Sequence, residues 1–169
     1  MNAFTKLLFV FTLFIVVPSA SSQNTPNKFI DFKYHHSMRI PYNSVNIRIE
    51  EEIDSAIVIV NSQPMNNKKE WRYSNIQKQY KLSTKEFEEL WLKTNKLKML
   101  TLPEDVGFDG FTCAIEYGTK SSHSFVKVWS PQYKEAEPDL NFFVELCNEI
   151  LIIGNLDPHE IFVTKHLRR

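Results

Sequence analysis

The chain has 169 residues, 43% of them apolar, and 20 Lys+Arg stand against 20 Asp+Glu. That is enough apolar material for one domain with a real core and too much for a disordered chain. The balanced charge supplies no drive toward nucleic acid or an acidic surface, so neither is expected as a partner.

The N-terminus has the three-part order of a secretory leader. Lys6 closes a short cationic start, Leu7–Val17 (LLFVFTLFIVV) is an apolar run broken only by Thr12, and Pro18-Ser19-Ala20-Ser21-Ser22 offers small residues after a helix breaker. Eleven residues are too few to span a bilayer, which needs about 20. The bland alternative is an uncleaved anchor. Residues 1–22 are therefore expected to be a signal peptide cut between Ala20 and Gln23, and 23–27 a polar spacer. No later stretch is long and apolar enough to span a membrane. Without Lys6 the remainder carries 19 cations and 20 anions, a formal charge of −1.

A single α+β domain is expected over 28–163, with a tail at 164–169. Lys28–Tyr34 alternates apolar and polar residues, as a strand does. His35–Asn43, holding Pro41, reads as a loop. Val45, Ile47 and Ile49 repeat with period 2, and Glu51–Asp54 reads as a turn. Ala56–Val60 (AIVIV) is a continuous β-branched run and predicts a central strand covered on both sides. After the polar loop Asn61–Lys69, residues 71–82 read as one or two strands with a bulge near Ser74-Asn75.

The strongest local signal is Ser83-Thr84-Lys85-Glu86, a capping box flanked by Leu82 and Phe87 as a hydrophobic staple. Phe87, Leu90, Trp91 and Thr94 follow at helical spacing, so a helix is predicted over 84–96, with 98–102 a tail or short strand. Pro103–Gly110 is turn-rich. Phe111–Tyr117 and Ser124–Ser130 form the arms of a hairpin. Pro138 suits a first helical position, apolar residues from Leu140 to Leu151 recur at helical spacing, and Gly154 suits a stop, so a second helix is predicted over 138–152. Ile161-Phe162-Val163 is expected to pair at a sheet edge. The order strands, helix, hairpin, helix implies an antiparallel β-sheet with two α-helices packed on one face.

Chemistry is sparse. His35, His36, His123, His159 and His166 lack the spacing of a zinc site. Glu104, Asp105 and Asp109 lack the Ca²⁺-loop pattern, and Asp109-Gly110 reads as a tight turn. No metal or cofactor site is expected. No G-x-S-x-G elbow occurs. Cys113 could face His123 across the hairpin, but its parity with Phe111, Ile115 and Tyr117 makes it a core residue, and a buried thiol is inert. No catalytic residue is assigned. Export permits a Cys113–Cys147 disulfide, closing a 35-residue loop; the alternative is two buried thiols. Trp71, Tyr73, Trp129 and Tyr133 are the candidate binding aromatics, with membership of the core as the alternative for most of them.

Asp109-Gly110-Phe111, Val126-Lys127-Val128-Trp129-Ser130-Pro131, the helix after Leu82 and the last helix together resemble small secreted domains of unassigned function in Bacteroidetes-like bacteria, over about residues 70–152. The resemblance implies export and transfers no activity. The reading that follows is an exported protein, periplasmic or extracellular, acting as a non-enzymatic binding domain for a protein or cell-envelope component. A hydrolase using a carboxylate and a histidine such as His123 is the second reading, and a structural envelope protein the third.

Overall fold

The computed structural model describes residues 27–103, 107, 109–131 and 137–162. The expected leader and C-terminal tail, and with them Tyr133, Glu104, Asp105 and His166, lie outside the described residues.

Six strands form one antiparallel sheet: β1 (Lys28–His36), β2 (Ser44–Glu51), β3 (Ser55–Gln63), β4 (Ile76–Ser83), β5 (Phe111–Thr119) and β6 (Ser122–Trp129). Their order is β4-β3-β2-β1-β5-β6, so the first four make a meander and the β5–β6 hairpin returns to the far side of β1. Between them the chain crosses one sheet face through α1 (Thr84–Thr94), and α2 (Pro138–Ile153) and α3 (Pro158–Phe162) follow the hairpin. The protein is thus α+β, with an antiparallel sheet and its helices on one face.

Period-2 alternation decides which side chains meet the helices. Ile30, Phe32 and Tyr34 of β1, Val45, Ile47 and Ile49 of β2, and Cys113, Ile115 and Tyr117 of β5 point to that side and are buried. Phe87 and Leu90 of α1, and Leu140, Phe143, Cys147, Ile150 and Leu151 of α2, close over them. Each such side chain contributes roughly 1.5–3 kcal/mol by leaving water.

The capping box forms as the spacing requires: Glu86 N–H donates to Ser83 Oγ at 3.3 Å, and Ser83 N–H to Glu86 Oε2 at 3.1 Å. The Ser83 hydroxyl, donating to Glu86 Oε2 at 2.5 Å, and then the Ser83 N–H hold the Glu86 carboxyl below its ordinary value. The α-helix ends at Thr94 and tightens into a 3-10 turn over Asn95–Met99, where a helix to 96 and then a tail or strand were expected.

Three expectations need correction. Ala56–Val60 is not covered on both sides: β3 lies next to the sheet edge, and Ile57 and Ile59 are only half-buried on the face without helices. Trp71 and Tyr73 are not in a strand, because Lys69–Ser74 is a 3-10 helix and β4 begins at Ile76. The Ser74 hydroxyl closes that turn by donating to Trp71 O at 2.8 Å. Ile161 and Phe162 pair with no edge: they belong to α3 and are buried in the core, where Tyr34 meets the Phe162 ring edge-on at 5.8 Å and donates its hydroxyl to Ile161 O at 2.9 Å.

Gly154 does cap α2, though not by adopting a left-handed backbone. Its φ is −67°, and the left-handed residue is Asn155, at φ 48°. The need for glycine is close approach, since a Cβ there would come to 2.5 Å from Ile47 Cδ1.

Candidate functional site

Two regions of the surface gather candidate side chains. The first is one end of the sheet. The β1–β2 loop (37–43) and the β3–β4 connection (64–75) run side by side there, joined by Met65 N–H donating to Ile40 O at 2.8 Å. The 3-10 helix presents Trp71 and Tyr73 with ring centroids 6.3 Å apart, and Tyr42 meets Tyr73 edge-on at 6.0 Å. Tyr73 is 56% exposed, Met65 56% and Met38 70%, while Trp71 is half-buried. The connection also carries Lys68, Lys69 and Arg72 against Glu70, an excess of two cations.

This end is held from below. Tyr42 donates its hydroxyl to Glu160 Oε2 at 3.1 Å, and the Arg39 guanidinium donates to the carbonyls of Glu160 and Ile161 at the end of α3. The aromatic rings therefore stand on a fixed base, with large apolar surface left in water.

The second region is the sheet face opposite the helices. Register places Asp31 beside Arg48 and Glu116, and Lys33 beside Asn46 and Ala114. Asp31, only 7% exposed, accepts from Asn46 Nδ2 at 3.0 Å and pairs with Lys33 Nζ at 3.2 Å and Arg48 Nη1 at 3.6 Å. Lys33 also reaches Glu116 at 3.6 Å, and Arg48 pairs with Glu50 at 2.6 Å while lying 4.8 Å over the Phe29 ring. The buried Asp31 carboxylate thus has partners of opposite sign, as burial demands.

His123 Nε2 lies 3.6 Å from Glu116 Oε1, so a histidine and a carboxylate do meet on this face. That distance is longer than a working hydrogen bond. Cys113 is not available to His123. Cys113 pairs with Val128 toward the core, whereas His123 pairs with Gly118 on the opposite face. Both cysteines are free and fully buried, and burial, then the neighbouring Cys113 thiol, pushes the Cys147 thiol well up. Among the described residues no three His, Cys, Asp or Glu side chains are grouped to hold a metal ion. His35 and His36 point to opposite faces, and His36 stacks on Phe111 at 6.2 Å.

Of the four candidate aromatics, the fold brings together Trp71 and Tyr73. Trp129 stands apart on β6, the far edge strand, half-buried, with Gly107 and Gly110 against its indole. Tyr133 lies outside the described residues. Sequence reasoning missed Tyr42, Met38 and Met65, which join Trp71 only because two separate loops are neighbours. No protein-family model matches this chain, and no curated protein matches it.

Proposed function

We propose that the chain is an exported protein, made with a cleaved leader over 1–22, whose folded body is a non-enzymatic binding domain for another protein or a component of the cell envelope, in keeping with its resemblance to small secreted bacterial domains. The supporting observation is the end surface where Tyr73, Met38 and Met65 stand largely in water beside half-buried Trp71, with the buried Tyr42 ring fixed behind Tyr73 and the cations Lys68, Lys69 and Arg72 on the same connection. Aromatic side chains on a rigid base are favourable anchors, because little conformational freedom is lost on binding. In an oxidising compartment a Cys113–Cys147 bridge belongs to the same reading; both cysteines lie in the one core, free and not at bonding distance, so closing it needs the two thiols to move together.

The test is retention of the native envelope fraction on the immobilised protein and on the Trp71→Ala/Tyr73→Ala double variant. A partner held by the first and lost at least tenfold by the second, with both proteins folded, is the expected result. Equal retention by both overturns the assignment to this surface, and turnover of generic esters or peptides that His123→Ala abolishes overturns the proposal in favour of the hydrolase reading. Thiol blocking followed by intact mass decides the bridge, since two blocked cysteines in the exported protein remove it.

A further inference from the structure

The two edges of the sheet are built differently. At one, β4 carries Lys78 and Lys81 among glutamines, and Lys78 Nζ and Tyr80 OH reach across to the carbonyls of Asn155, just past α2, and Ile153, its last residue. Lysines along an edge discourage pairing with another chain. At the other, β6 is eight residues long with no proline, and its first four residues are exposed on both faces of the sheet. Phe125 is 57% exposed at its centre. Among the described residues, β5 is its one sheet neighbour.

The outward groups of β6 follow from register. Ser130 N–H donates to Phe111 O at 2.7 Å, and the β5–β6 register runs unbroken from Thr112↔Trp129 to Thr119↔Ser122. Antiparallel ladders alternate, so the even-numbered residues of β6 bond to β5. His123, Phe125, Lys127 and Trp129 therefore direct their N–H and C=O groups away from the sheet. Their side chains all lie on the face opposite the helices.

The geometry points to a second copy of this chain as the occupant of that edge, paired antiparallel through β6 about a two-fold axis to make one continuous twelve-stranded sheet. The strand is complementary to itself when Val126 sits opposite Val126 of the second copy. That register brings each Lys127 opposite the other copy's Phe125 and each His123 opposite its Trp129, while Val126 extends the core side across the axis. A cation over an aromatic ring is a pairing this face already uses, in Arg48 over Phe29. An isologous contact of this kind closes on itself and makes a dimer, not a fibre. The chain's formal charge of zero means that two copies do not repel at long range. One strand edge buries less than the roughly 800 Å² per partner of a standard interface, so the dimer is weak and reversible.

Sedimentation equilibrium of the purified full chain across about 1 µM to 1 mM, the range where such an interface shows, tests this. A reversible monomer–dimer equilibrium is expected. Phe125→Lys sets like charges opposite each other and is expected to weaken it at least tenfold. Phe125→Pro removes an outward N–H together with the ring, takes no donor from the β5 ladder, and is expected to abolish dimerisation. Val126→Cys, at the axis, is expected to cross-link two chains when a disulfide such as oxidised glutathione is supplied, each new bridge releasing two glutathione thiols. A monomer at every concentration overturns the inference, and so does a dimer indifferent to both Phe125 variants or an edge that pairs only with a strand of another protein. Loss of envelope binding in the Trp71/Tyr73 variant is a separate readout and does not move this equilibrium.

Discussion

Tyr42 shows how one side chain can tie the candidate surface to the core and to pH. It sits after Pro41 with φ 50°, a left-handed backbone that a bulky residue rarely adopts, and its ring is buried all the same. Burial, then the Glu160 carboxylate that accepts from its hydroxyl and the neighbouring Tyr73, pushes the phenol up to about 12. In the unfolded chain the same group ionises near 10.0. The folded state thus holds its proton longer, and the contribution to stability is fully present below pH 10 and lost as pH rises toward 12. Tyr42→Phe is expected to cost roughly 1–2 kcal/mol at neutral pH, for the lost bond to a charged acceptor, and to flatten the decline between those two pH values. Urea unfolding of both proteins across that interval reads the difference. An equally steep decline in the variant would assign the alkaline loss to other groups.

At the scale of elements, what could be read from the residues depended on how local the cause was. The start of α1 is set within four residues, because Ser83 and Glu86 satisfy each other's backbone donors whatever lies around them. Ser83→Ala is accordingly expected to lower stability by about 1 kcal/mol, read as a shift in urea midpoint at unchanged slope. The β5–β6 hairpin was legible for the same reason. The 3-10 helix at 69–74 was not: Trp71 and Tyr73 alternate as strand residues do, and only the buried Ser74 hydroxyl and the neighbouring loop favour the tighter turn. Ile161 and Phe162 look like an edge strand by composition, but the slot between Tyr34 and Phe111 takes them as a helix. The candidate site divides along the same line. Trp71 and Tyr73 were visible as aromatics in a polar stretch, whereas Tyr42 and Met38 required knowing that the β1–β2 loop lies beside the β3–β4 connection, and the Asp31–Lys33–Arg48–Glu116 network that β1 lies between β2 and β5.

At the scale of the whole molecule, β1 is both the first strand of the folded body and one of its two central strands. It bonds to β2 on one side and to β5 on the other, and it lends Ile30, Phe32 and Tyr34 to the core. Without it the β2–β4 meander and the β5–β6 hairpin share no ladder, and the helices lose the surface that joins them. The body's tolerance of shortening at this end should therefore change abruptly within a few residues. A chain beginning at Gln23 keeps all of β1, including the bond from Lys28 N–H to Glu51 Oε2, and should unfold in one cooperative step at the same urea midpoint as the full chain. A chain beginning at Ser37 lacks β1 and should show no cooperative transition by circular dichroism. The first comparison bears on export as well as on the fold. A leader that is removed must contribute nothing to the body it leaves behind, so a large loss of stability on deleting residues 1–22 would mean that the apolar run Leu7–Val17 is packed into the domain, and the proposed cleavage would fall with it.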